Sequence, residues 1–147
     1  MPMSIRIRRH VPGPSPDRGL IDTSAVIGLE GIEVDRLPLD LAVSALTLAE
    51  LAAGIVSATD DSVRARRAER IQRVESTFES ISFDPLCARA YGRVYAAVAG
   101  AGRKPRGPRT VDLMIAATAL ARKLPLYTLN VGDLKGLDDL IMIVDLA

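Results

Sequence analysis

Four carboxylates sit where they could act together. Asp22 follows an apolar pair and precedes two hydroxyls in "GLIDTSAVIGLE"; Glu50 lies in "TLAELAAG", Asp112 in "TVDLMIAATAL" and Asp133 in "LYTLNVGDLKGL". Each also has a structural explanation. Asp22 suits a helix N-cap, Thr47-x-x-Glu50 matches a capping box, Asp112 would complement a helix dipole, and Asn130 to Asp133 could form a turn. Convergence would change the weighing, because two carboxylates about 5 Å apart repel by roughly 3 kcal/mol at an effective dielectric near 20. Apart from Arg109, no lysine or arginine lies within three residues of Asp22, Glu50 or Asp112. A divalent cation is therefore the natural counter-charge. Mg²⁺ or Mn²⁺ suits all-oxygen ligands, and either can orient water for attack on phosphorus.

Other chemistries are poorly supplied. The single histidine, His10, lies near the N-terminus, so paired-histidine catalysis within one chain is excluded. One His and one Cys cannot build a zinc site of the usual kind. Cys87 in "PLCARAYG" reads as a core thiol. "GAGRKPRG" has glycines but lacks the Lys-Ser/Thr of a phosphate-cradling loop.

The elements that must position the four acids alternate between strand and helix. "LID" and "LAVS" read as strands, "TSAVIGLE" as a short helix and "TLAELAAGIVSA" as a longer one. Residues 60–80 read as a helix with Ala68, Ile71, Val74 and Phe78 on its apolar stripe. Arg64, Arg66, Arg67, Arg70 and Arg73 fall mostly off that stripe and read as a solvated face. "ISF" is a third strand. "DPLCARAYGRVYAAVAG" is a helix with Asp84 as N-cap and Pro85 at its first position. "TVDLMIAATALARKL" is a largely buried helix, and "LYTLN" and "IMIVDL" are the last strands, joined by a turn or short helix over 131–139. The pattern predicts an α/β/α sandwich with a central, mostly parallel sheet of about five strands. Ligands bind such sheets outside the carboxyl ends of the strands, where all four acids fall.

With 147 residues, 48% hydrophobic and 25% charged, the chain suits one domain with a full core. Residues 1–18, with Pro12, Pro14 and Pro16, read as a basic, extended arm, and 19–147 as the domain. No stretch suits a membrane span or a secretory signal, so a cytoplasmic location is expected. The net charge is only +1, but the arm and the segment 100–109 are both basic. Arg103, Lys104, Arg106 and Arg109 are candidate phosphate contacts, with a solvated loop as the alternative.

Taken in order, "LIDTSAVI", "SALTLAELAAG", "GRKPRGPRTVDLMIAATAL" and "LYTLNVGDLKGL" resemble PIN-domain ribonucleases, and the chain looks like a VapC-type toxin of a toxin-antitoxin pair. The resemblance covers residues 19–147. It implies a PIN fold and Mg²⁺- or Mn²⁺-dependent endonucleolytic hydrolysis of RNA, commonly tRNA or rRNA, leaving 5′-phosphate and 3′-hydroxyl ends. It also implies a homodimer and inhibition by a VapB-type antitoxin. By motif, Asp22, Glu50 and Asp112 match three acidic positions and Asp133 a more variable fourth, all as metal ligands and catalytic residues. Thr23, Thr128 and Asn130 match supporting polar positions, and Gly54 fits a small residue one turn after Glu50, where a close backbone approach is expected. The chain departs from the pattern in its extra N-terminal residues and in "RTVD", which replaces the Asn or Ala often found before the third acid.

Two rivals stand beside this reading. One is a noncatalytic RNA- or antitoxin-binding module with the same fold; the other is a receiver-like or phosphatase-like domain, which would want a D-x-D motif that "LIDTSAV" lacks.

Overall fold

The computed structural model describes residues 17–147. The arm expected over 1–18 lies mostly outside the described residues, and the first strand already begins at Arg18. In chain order the elements are β1 (Arg18–Ile21), α1 (Thr23–Ile27), β2 (Asp40–Ser44), α2 (Ala45–Ser57), α3 (Asp61–Thr77), β3 (Glu79–Ile81), α4 (Pro85–Gly100), α5 (Thr110–Arg122), β4 (Leu126–Thr128) and β5 (Ile143–Asp145). The strands form one five-stranded sheet in the order β3-β2-β1-β4-β5. Every pairing is parallel.

Alternation along the strands builds the three layers, since successive side chains point to opposite faces. Leu20, Ala42 and Leu126 turn toward one core with Val94, Val98, Leu113 and Ile115 of α4 and α5. Ile21, Val43 and Tyr127 turn toward the other, with Ala25, Leu51, Val74 and Phe78 from the α1–α3 side. Helix α5 is buried along Leu113, Ile115, Ala116, Ala117, Thr118 and Ala119, and its small residues let it sit close to its neighbours. Asp84 at the start of α4 pairs with Arg122 at the end of α5, so the two helices run antiparallel. Cys87 is fully buried, as expected for a core thiol.

Several boundaries differ from the sequence expectation. Helix α3 ends at Thr77 rather than near residue 80, because Phe78 goes extended to enter the core and Glu79–Ile81 pair with β2. That pairing moves β3 two residues earlier than "ISF". Helix α2 begins at Ala45 rather than Thr47, because Ser44 caps it through Leu46 N–H.

After β1, β2 and β3 fill one side of the sheet, the chain crosses to place β4 on the other side of β1. This reversal between β1 and β4 is a topological switch point, where strand ends diverge and leave a crevice. Asp22 directly follows β1, and the turn Val131–Leu134 holding Asp133 follows β4. Gly136, at φ +98, bends the chain back past α4, where an added Cβ would come within 2.9 Å of Ala101 Cβ.

Candidate active site

Asp22 does two jobs. Its Oδ1 accepts from Ala25 N–H at 3.0 Å, capping α1, and from Ser24 Oγ at 2.6 Å. Ser24 Oγ in turn accepts from Leu129 N–H at 3.1 Å and lies 3.4 Å from Thr128 Oγ1. Having given its only proton to Asp22, Ser24 can be only an acceptor toward Thr128, which is itself an acceptor for Asn130 N–H at 2.9 Å. The chain after β4 is thus tied to the chain after β1 through hydroxyls whose proton order ends on the Asp22 carboxylate. Thr128 is buried, while Asn130 is exposed and contributes its backbone N–H to this chain.

Glu50 is held separately. It lies in the second turn of α2, since Ser44 caps that helix, so the Thr47-Glu50 capping box does not form. Its Oε1 instead accepts from Thr23 Oγ1 at 2.5 Å, with Thr47 Oγ1 3.1 Å from the same hydroxyl. Thr23 is half-buried beside Asp22, so one residue pair reaches two of the acids.

Asp112, in the first turn of α5, registers the whole constellation. Burial, then the charges of Glu50, Asp133 and Asp22, push its carboxyl from 3.8 up to about 6, with Arg109 pulling weakly the other way. A helix N-terminus would by itself favour the charged form, so desolvation and three like charges have overcome it. The four acids therefore share one electrostatic neighbourhood. Among the described residues, no three His, Cys, Asp or Glu side chains already stand close enough to hold one metal ion. Asp22 and Glu50 are turned onto Ser24 and Thr23, and Asp133 is exposed. In donor chemistry the set, four carboxylates with one raised pKa, is of the kind a hard divalent cation takes.

The basic loop is less free than its composition implied. Arg103 donates to Gly132 O at 2.6 Å, steadying the turn that carries Asp133, and Arg106 Nε donates to Tyr95 Oη at 3.3 Å. Lys104 is exposed, and Arg109 stands beside Asp112.

Two features escaped the sequence reading. Thr47 was visible only as half of a capping box and Ser24 only as one of the two hydroxyls after Asp22, yet both join the hydroxyl network around the acids. Arg66, Arg67 and Arg70 of α3, read with Arg64 and Arg73 as a solvated face, line a cleft of about 430 Å³ together with Thr23, Glu50 and Gly54. Gly54 does not mark a close backbone approach: an added Cβ would meet only the Arg67 side chain, at 4.0 Å. What approaches there is the Arg67 guanidinium, which donates to Gly54 O at 2.5 Å.

Comparison with known proteins agrees with this architecture. The PIN domain family model matches residues 20–133. The chain is 35% identical to Ribonuclease VapC5 of Mycobacterium tuberculosis over 117 residues, 78% of this chain and 84% of that protein. It is 34% identical over 102 residues to Ribonuclease VapC8 of the same organism, covering 69% of this chain and 89% of the relative. Among solved structures, it superposes on a chain of VapBC-5 from M. tuberculosis, a member of the VapBC family of toxin-antitoxin systems, with a TM-score of 0.75 at 30% identity, covering 88% of this chain and 99% of that one.

Proposed function

The chain belongs to the PIN domain family, and from that premise we propose that it is the toxin endoribonuclease of a toxin-antitoxin pair. The observation that carries the reading is the gathering of four acids at the switch point, with Asp22 after β1, Asp133 after β4 and Glu50 on the Thr23 hydroxyl, close enough that their charges add to burial in raising the Asp112 carboxyl to about 6. Residues serving only as helix caps need not gather, whereas a site that must hold a cation needs this excess of negative charge.

In this reading Asp22, Glu50, Asp112 and Asp133 hold Mg²⁺ or Mn²⁺. The cation, when bound, supplies a Lewis acid for the phosphodiester and activates water. The protein's own part is orientation. Ser24 and Thr128 fix Asp22, Thr23 fixes Glu50, and Arg103 steadies the turn bearing Asp133. Asp112, with its carboxyl at about 6, would be mostly ionised at neutral pH and would offer the cation a charged oxygen ligand. Hydrolysis without the 2′-hydroxyl leaves 5′-phosphate and 3′-hydroxyl ends, on tRNA or rRNA as the expected substrates. A VapB-type antitoxin covers the acidic crevice, the toxin forms a homodimer, and it works in the cytoplasm. No helix among the described residues is long and apolar enough to cross a membrane.

The test is cleavage of total bacterial RNA by the purified wild-type chain and by Asp22→Asn, each with Mg²⁺, Mn²⁺ or EDTA, with 5′-phosphate ends mapped. Discrete cuts that need both the metal and Asp22 support the reading. RNA binding without new ends in any condition would instead make the chain a noncatalytic binding module.

A further inference from the structure

The loop expected to touch RNA spends two of its arginines on the protein itself, whereas a different basic surface borders the acids. Arg66, Arg67 and Arg70 of α3 line the cleft of about 430 Å³ that also contains Thr23 and Glu50. Arg70 continues with Arg73 into a second cleft of about 500 Å³, and Ile27 lines both, so the two form one path along α3. Each cleft has a single carboxylate among its lining residues, Glu50 in the first and Glu30 in the second. Four arginines thus edge a path whose floor is largely apolar, and the path meets the acids at its Glu50 end.

These guanidiniums are not consumed by the fold. Arg67 donates one nitrogen to Gly54 O and, at 3.4 Å, to Ser57 Oγ, which anchors it and leaves other N–H groups available. Among the described residues, the side chains of Arg70 and Arg73 make no hydrogen bond or ion pair, and that of Arg66 has only the distant charge of Asp60. By contrast, Arg103 and Arg106 of the loop are committed to Gly132 and Tyr95. Arg66 to Arg73 spans roughly 10 Å of helix at about 1.5 Å per residue. No aromatic residue lines either cleft, so bases have nothing to stack on there.

Resting on the ribonuclease reading, we infer that Arg66, Arg67, Arg70 and Arg73 form a phosphate rail that holds the sugar-phosphate backbone of single-stranded RNA beside the Glu50 side of the active site. Arginine suits this task because its planar fork can grip phosphate oxygens bidentately. Contacts to phosphate fix register and carry no base preference, so the rail orients any strand and leaves sequence choice to other surfaces.

The experiment uses the full chain carrying Asp22→Asn, in EDTA, with a short fluorescent oligouridylate titrated across a range of salt concentrations. Against this background, Arg66→Gln with Arg70→Gln is expected to weaken binding about tenfold or more. The slope of log affinity against log salt should fall by about 1.4, since each single-strand phosphate contact contributes about 0.7. Arg66→Lys with Arg70→Lys, which keeps both charges, should retain most of the slope, and Lys104→Gln should change it less than the glutamine pair. Thermal melting confirms that each variant is folded.

An unchanged slope in the folded glutamine pair overturns the rail. So does a pair that binds oligouridylate normally but has lost an acidic antitoxin peptide, which would assign the face to a protein partner. If the wild-type chain still cuts RNA in either case, only the rail has failed. If the Asp22→Asn chain binds no RNA and the wild type cuts none, the ribonuclease reading fails and takes the rail with it.

Discussion

Asp84 and Asp112 open neighbouring, antiparallel helices, yet their carboxyls are driven in opposite directions. Asp84 caps α4 by accepting from Cys87 N–H at 3.1 Å and pairs with Arg122. The backbone bond first, and the guanidinium second, hold it down to about 2. Asp112 occupies the first turn of α5 and is pushed up to about 6 by burial and by Glu50, Asp133 and Asp22. Helix position is nearly the same for both. What differs is what each faces: a donor and a cation for Asp84, three more acids for Asp112. The first arrangement stabilises the fold, and the second stores repulsion that protonation or a bound counter-charge relieves.

The strongest way to break this contrast is Asp112→Asn. RNA cleavage should fall by about 10²-fold or more, the equivalent of several kcal/mol of lost transition-state stabilisation. In the same variant, the metal-free protein should melt at a higher temperature than wild type near about pH 8, because a repelled, half-buried charge is gone. An Asp112→Asn protein that cleaves normally would make the acid a helix residue like Asp84. Next in size is Leu113→Ala, one residue along the same helix. Leu113 is fully buried, so the change should cost about 2–5 kcal/mol in urea unfolding. If stability barely moves, α5 is not the packed element that fixes where Asp112 stands.

The pH dependence of the metal-free protein sharpens the comparison, with opposite signs for the two groups. Asp112 has a folded pKa raised above 3.8 to about 6, so its contribution is fully present below about pH 4 and is lost as pH rises through about 6. After allowance for its partial exposure, the loss is on the order of 1–2 kcal/mol. Asp84 has a depressed pKa, so its contribution is present above about pH 4 and lost as pH falls toward 2. Melting temperature against pH should lose its alkaline-side decline in Asp112→Asn. Asp84→Asn should lose part of the acid-side decline instead. The smallest effect expected is Asp84→Asn at neutral pH, which keeps a competent cap but loses the ion pair. Its melting temperature should drop by no more than a few degrees, with cleavage unchanged. A large loss of cleavage would mean that the α4–α5 contact also shapes the site.

Much of the frame was legible in residue order. Alternation at Leu20-Ile21 and Leu41-Ala42-Val43 marks two-sided strands, and Asp84-Pro85 marks a helix start, because each signal is local. The candidate acids were legible for the same reason, since they follow strands or open helices. Less legible were the roles that depend on which elements adjoin. Glu50 read as half of a capping box until Ser44 took the cap and Thr23 took the carboxylate. Ser24 read only as a hydroxyl near Asp22 until β4 came alongside β1 and brought Thr128 and Leu129 to it.

The sequence by itself determined the order of strands and helices, the two apolar faces of the sheet and the identity of the acids, because periodicity and capping act over a few residues. Tertiary structure decided the rest. The crossover from one side of β1 to the other brings Asp112 and Asp133 into one field with Asp22 and Glu50, while the packing of α3 on α2 sets Arg66, Arg67 and Arg70 in the cleft that holds Glu50. Electrostatic energy depends on distance through space, and residues far apart in the chain acquire that distance only when the sheet closes.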